Sequence, residues 1–223
     1  MVFGNLNLIM INKITLQEKK WKGGFGKDYV ARNPCGIEDL NKLYLQHYGI
    51  TRVSLNREFV TNLDRSIKIL EVGSNVGSQL ALLQKMGFKH LYGIEINRET
   101  VELSKSMTKD IDIIKGSALD IPFKDDYFDL VFTSGLLIHI SPLDIKKVMK
   151  EIYRCTKKYI WGFEYYADKY TEILYRGKQN MLWKADFSKL YQENFKNLKL
   201  IKERKLKYQN NENIDSMFLL EKK

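Results

Sequence analysis

The seven residues Glu71-Val-Gly-Ser-Asn-Val-Gly77, between one apolar run and the next helical pattern, have the types and spacing of a ligand-cradling loop. Glycine at 73 lets the backbone turn and approach a ligand closely, because no Cβ stands in the way. Asn75 is one of the few residue types that tolerate the left-handed region, so the loop can turn there as well. Glu71 stands before the loop. Glu95 ends the following apolar run, 22 positions after Gly73, where a carboxylate can accept both hydroxyls of a ribose. Ser74, Gly77 and Ile96 complete this expected ligand set. The loop lacks G-x-G-x-x-G, which argues against a nicotinamide cofactor, and G-x-x-x-x-G-K-[ST], which argues against nucleotide hydrolysis.

Proton chemistry has two candidates. His139 lies just past the fourth apolar run, and an ordinary histidine pKa suits a general base. The alternative for His139 is a ring that hydrogen-bonds backbone and orders its loop. Glu164, beyond the fifth run, is the second candidate, with Tyr165 and Tyr166 beside it at the mouth of an acceptor site. His47 and His90 read as structural. The chain has two cysteines and three histidines. Cys35 and Cys155 form no disulfide framework, show no metal-ligand spacing with the histidines, and imply no metal. Cys155 falls on an apolar helix face.

These residues need elements to hold them, and the pattern supplies them. Ile67–Val72, His90–Glu95, Ile111–Lys115, Phe128–Thr133 and Tyr159–Phe163 read as buried strands. Helical patterns run over Gly77–Met86, from an Asn97 cap to Met107, and over Asp144–Cys155. Such alternation makes a Rossmann-like, mostly parallel, doubly wound sheet with right-handed crossovers. Asn197–Tyr208 and Ile214–Leu220, joined by a polar turn, read as an antiparallel hairpin closing one edge. Residues 15 to 60 show helices without strands, entered through a Thr15-Leu-Gln-Glu18 cap. The expected division is an extension and helical cap over 1–60 and the α/β domain over 61–223.

Of the 223 residues 44% are apolar, enough for a full core. The net charge of +10 attracts anions in general. The lysines are scattered, however, and Lys199, Lys202, Arg204, Lys205 and Lys207 read as the outward face of a strand. No arginine-rich block accompanies them, which argues against a nucleic-acid partner. No run approaches the roughly 18 apolar residues of a membrane span. The apolar start, Met1–Ile11, lacks a basic leader and a cleavage site, so a cytoplasmic location is the expectation.

Two further segments resemble class I S-adenosylmethionine-dependent methyltransferases. Gly116-Ser-Ala-Leu-Asp-Ile-Pro-Phe123 is similar to their adenine-contacting segment, with Ser117 where many members have an acid and Ala118 beside it. Asp125–Ser134 resembles their fourth-strand motif and brings Thr133 and Ser134 to the site. More specifically, Trp21–Asn33, the Gly73–Gly77 loop, Gly93–Asn97, Ser134–Pro142 and Trp161–Tyr166 resemble the pseudaminic acid biosynthesis-associated methylase family. The resemblance implies S-adenosylmethionine as cofactor, S-adenosylhomocysteine as product, and methyl transfer to an oxygen or nitrogen of a small molecule, a carbohydrate or nucleotide-sugar. It also implies a lid over 21–33, with Tyr29 and Arg32 on the methionine carboxylate and Trp21 and Phe25 as apolar cover. Pro34-Cys35 is similar to the dipeptide of cytosine-C5 enzymes but lies in the cap. No Asn/Asp-Pro-Pro-Tyr follows the fourth strand, which argues against methylation of exocyclic base amines. An RNA or DNA methyltransferase and a non-catalytic S-adenosylmethionine-binding module are the competing readings.

Overall fold

Strand β1 (Lys68–Val72) is buried from Ile69 onward, as a strand between two helical layers must be. It pairs in parallel with β2 (His90–Glu95) on one side and β4 (Phe128–Ser134) on the other. β3 (Asp112–Lys115) extends the sheet past β2, and β5 (Thr156–Tyr165) past β4. The hairpin β8 (Leu198–Lys207) and β9 (Ile214–Lys222) completes it, with β9 antiparallel to β5 and β8 at the edge. The order β3-β2-β1-β4-β5-β9-β8 reverses between β1 and β4, which opens a crevice at the carboxyl ends of these strands. The computed structural model describes residues 14–33 and 36–223. Met1–Ile11 and Pro34-Cys35 lie outside the described residues.

On one face, α7 (Ile145–Cys155) buries Ile145, Val148, Met149, Ile152 and Cys155, a helical stripe that meets Leu70, Val131 and Ile160 in one cluster. α8 (Phe187–Asn194) joins it through Phe187 and Tyr191. The other face carries α5 (Ser78–Lys85) and α6 (Arg98–Met107), together with α3 (Ile37–Tyr48) and α4 (Arg52–Val60). Leu40, Tyr44, Leu55 and Phe59 share a core with Ile69, Leu80 and Trp161. A boundary at 60/61 therefore cuts through one continuous core. Of the described cap helices, α1 (Leu16–Lys22) and α2 (Gly24–Arg32) lie outside it, over the crevice.

Two features differ from the sequence expectation. β5 is longer than Tyr159–Phe163 at both ends, because Thr156 pairs with Phe128 of β4 and β9 pairs with it through Tyr165. The stretch after β5 also holds a small antiparallel pair, β6 (Thr171–Glu172) and β7 (Trp183–Lys184), and then α8. Strands of two residues are too short to show alternation.

Candidate functional site

The loop after β1 folds back on β2. Gly73 and Ser74 both donate their backbone N–H groups to the Ile94 carbonyl, at 2.9 and 3.0 Å. Gly73 (φ 75°) and Asn75 (φ 51°) adopt the left-handed region, as their types allow. A Cβ on Gly73 would stand 2.7 Å from Leu136 Cδ1, in the loop after β4. Glycine here lets the two crevice walls touch. Glu95 closes the turn: Oε2 accepts from Asn75 N–H at 3.1 Å and Oε1 from Asn97 N–H at 2.8 Å. Burial raises its pKa, while those amides pull the other way. Glu71, at the end of β1, is buried with Oε2 unpaired, and burial raises its pKa strongly against the pull of Arg52.

The cap reaches the crevice walls at several points. Asn97 caps α6 through Oδ1 and donates Nδ2–H to the Trp21 carbonyl at 3.2 Å. Ser117 donates its hydroxyl to Glu18 Oε1 at 2.7 Å, so a carboxylate does reach the Gly116–Phe123 segment, supplied by α1. Glu18 was legible only as the far half of a capping box, which it also forms. Trp21 packs edge-on against Phe25 and Tyr29 and meets the His139 ring at 4.7 Å.

His139 ends a 3-10 turn, Leu137–His139, after β4. Its Nδ1 lies 2.7 Å from the Met181 carbonyl, so Nδ1 carries the proton and donates. Burial pushes the imidazole down to about 4. The expected base of ordinary pKa is thus corrected to a ring that is neutral at physiological pH. Glu164 holds the same turn, accepting from the N–H groups of Leu136 at 3.2 Å and Ile138 at 3.4 Å. Burial pushes its carboxyl up to about 7, against the Thr133 hydroxyl bonded to it. That value is well matched to proton transfer near neutrality.

A cavity of about 370 Å³ runs between these walls, within the usual size for a small-molecule site. Of the expected residues, Trp21, Tyr29, Glu71, Gly73, Ser74, Asn75, Glu95, Ile96, Ser117, Ala118, Ser134, His139, Glu164 and Tyr165 line it. Four do not. Phe25 sits behind Trp21 and Tyr175. Gly77 serves as the N-cap of α5, and Thr133 bonds Glu164 from beneath. Arg32, at the end of α2, is exposed.

Several lining residues carried no signal in the sequence. His47, read as structural, lines the cavity with Tyr44, Tyr48, Tyr208 and Asp215. Behind them Arg52 is fully buried, donating to Asn56 Oδ1 at 2.8 Å, to Ser134 Oγ at 3.0 Å and to the Tyr44 hydroxyl. A lone arginine in an amphipathic helix gives no hint of such a position.

Two properties of the lining decide what it can bind. Around the loop, Trp21 Nε1, Glu71 Oε2, Ser74 Oγ, Asn75 Oδ1 and Gln79 Oε1 are buried without a partner. Unpaired buried polar atoms are costly, and a polar ligand with hydroxyl, amino and ring-nitrogen groups satisfies them. The charge is also one-sided. Glu18, Glu71, Glu95, Asp144, Glu164 and Asp215 line the cavity, and among the described residues no lysine or arginine does. A protein of net charge +10 thus encloses an acidic site, suited to a sulfonium cation. Among the described residues, no cluster of three or more His, Cys, Asp or Glu could hold a metal. None of the described helices is long and apolar enough to cross a membrane.

The fold and crevice define the Rossmann-like class I methyltransferase architecture. Residues 70–159 match the family described as a methyltransferase domain. A sterol methyltransferase-like protein of Botryococcus braunii is 27% identical over 104 residues, 44% of this chain and 26% of that protein. The chain spans less than half the length of the curated relatives it matches. A solved Pyrococcus horikoshii protein superposes with a TM-score of 0.67 at 18% identity, covering 88% of this chain and 99% of that one. A Leishmania major S-adenosylmethionine-dependent methyltransferase gives 0.68 at 16% identity, covering 92% and 85%. These likenesses establish the fold. With the domain match they support S-adenosylmethionine as the cofactor.

Proposed function

We propose that the chain transfers a methyl group from S-adenosylmethionine to an oxygen or nitrogen of a small molecule, leaving S-adenosylhomocysteine. The observation that carries this is the cradle at the carboxyl ends of β1 and β2. There two carboxylates flank a left-handed loop lined by unpaired buried polar atoms. Glu95 retains acceptor capacity for a ribose hydroxyl, since a carboxylate has about four acceptor sites and the amides of Asn75, Ile96 and Asn97 use three. Glu18 and Ser117 suit an adenine amino group, and Trp21, Tyr29 and Ile96 cover the ligand. The bound cofactor supplies a methyl group on a sulfonium, already a good leaving group, so the chain's main tasks are alignment and exclusion of water. Glu164 receives the proton that the acceptor loses, and His139 positions the turn and cap around it. Tyr165 borders the acceptor end.

The family resemblance favours a carbohydrate acceptor, and the acidic lining disfavours the phosphates of a nucleotide-sugar. RNA or DNA methylation, favoured only by the net charge, meets the same objection at the cavity. Thermal melts with S-adenosylhomocysteine test the reading. A ligand that binds only the folded state stabilises by about 2.7 kcal/mol at a hundredfold excess over Kd. A rise with NAD and none with S-adenosylhomocysteine overturns it.

A further inference from the structure

The far end of the cavity is a chamber that the cofactor cradle does not use. Its floor is Asp215, at the start of β9 opposite Tyr165 of β5 and only 1% exposed. Asp215 Oδ2 accepts from the hydroxyl of Tyr48, on α3, and from that of Tyr208, after β8, at 3.2 Å. Asp215 borders the cavity, and its Oδ1 is buried without a partner. The walls are rings: Tyr208 lies 4.8 Å from Tyr48, 5.0 Å from His47 and 6.1 Å from Tyr165. Tyr44 and Phe163 continue the wall at 5.3 Å from each other.

We propose that this chamber seats a protonated amine on the methyl acceptor, with Asp215 Oδ1 as its counter-charge and the surrounding aromatic rings as its walls. The proposal rests on the methyl-transfer reading and narrows its acceptor to molecules that carry an ammonium group.

A buried carboxylate is normally matched by a cation. Asp215 forms no ion pair among the described residues. Arg52 is held by Tyr44, Ser134 and Asn56, and Lys184 bonds the Asn213 side chain. Their fields favour the ionised form only from a distance, and burial still pushes Asp215 up to about 7. A cation delivered by a ligand fills this vacancy, since aromatic faces carry negative electrostatic potential and add to the carboxylate's attraction. A neutral hydroxyl can bond Oδ1 but gains no Coulomb energy, and an anion is repelled. Recognition by charge here agrees with a lining that, among the described residues, holds no lysine or arginine.

The test uses the full chain with a saturating concentration of S-adenosylhomocysteine, whose own binding is measured first by calorimetry. Matched probes are then titrated and followed by amide NMR shifts: cyclohexylamine against cyclohexanol, and glucosamine against glucose. The expected result is an amine preference of about tenfold, the worth of one charge-assisted contact, with shifts centred on Tyr208, Asp215 and Ser216. Asp215→Asn should erase that preference and leave S-adenosylhomocysteine affinity within about twofold, since Asp215 lies outside the cradle. Equal binding of amine and alcohol overturns the proposal, as does a preference that survives in Asp215→Asn. If that variant does not fold, the wild-type shift map decides, and amine-induced shifts that avoid residues 208–216 overturn it. Failure of S-adenosylhomocysteine to bind strikes the methyl-transfer reading instead, because the amine preference is read separately.

Discussion

Replacing Glu95 by alanine separates a ligand contact from a structural brace. Its two oxygens hold the amides of Asn75 and Asn97, at 3.1 and 2.8 Å, so the variant strands two loop N–H groups even without ligand. Hydrogen bonds to a charged group contribute roughly 1.5–3 kcal/mol each, and water entering the loop recovers part of that. A loss of about 2 kcal/mol follows, or a melting temperature about 4–8 °C lower for a chain of this size. The second effect is on affinity. Loss of the ribose contacts weakens S-adenosylhomocysteine binding about tenfold to a hundredfold, measured by calorimetry well below the variant's melting point. Glu95→Gln keeps one acceptor oxygen but turns an amide donor towards a backbone N–H. It should therefore melt between wild type and alanine and still bind weakly. A lower melting temperature with an unchanged dissociation constant refutes the ligand role and leaves Glu95 as a brace alone.

Three shorter predictions follow from placement and charge. Arg32→Ala should change S-adenosylhomocysteine affinity by less than about twofold, because the side chain is exposed and outside the cavity; a tenfold loss on calorimetry would restore it to the site. Glu18→Ala removes the Ser117 partner and half of the α1 capping box, at about 1 kcal/mol for such a cap; stopped-flow release of S-adenosylhomocysteine should quicken several-fold, and an unchanged rate counts against the cap contact. The unliganded protein should melt at a lower temperature at pH 7.5 than at pH 5. Asp215 and Glu164, raised to about 7, contribute stability that is present below their unfolded values and lost as pH rises through 7. His139, lowered to about 4, gains stability between 4 and 6.5, and His47 shifts in the same direction. Those two carboxyls against one buried imidazole leave a net loss of roughly 1.4 kcal/mol per pH unit in the shared window, the raised Glu71 and Glu95 act in the same direction, and a melting temperature that rises with pH would contradict the assignment.

What was legible in the sequence was what neighbours in the chain decide. β2 runs over His90–Glu95 as its apolar pattern indicates, Asn97 and Thr15 cap their helices, and Asn75 takes the left-handed conformation its type permits. The carboxyl-edge position of Glu71 and Glu95 follows from strand polarity alone. The acceptor end was not legible, because distant segments build it. Asp215 meets Tyr165 only through the β5–β9 register, and Tyr48 arrives on a helix from the other face of the sheet. His139 shows the same limit. Its position after β4 was legible, but its neutral state comes from burial beside Trp21 and Tyr175, against the Met181 carbonyl, which favours the protonated ring. A lone histidine carries no mark of that enclosure.

The cap is held by contacts rather than by a core, and this bears on how the site works. Among the described residues α1 buries only Gln17, and α2 only Gly26. Their fastening is local and includes Glu18 on Ser117, the Trp21 carbonyl on Asn97, and the Trp21 ring on His139. Each is worth on the order of 1 kcal/mol, so the cap can open at a cost far below that of unfolding the domain. Each fastening also lands on a different part of the site. Ser117 belongs to the segment after β3, Asn97 follows the Glu95 carboxylate, and His139 stands on the turn that Glu164 holds. A closed cap therefore fixes the cofactor cradle and the proton-transfer turn together. Weakening any one fastening should disturb both ends of the cavity at once.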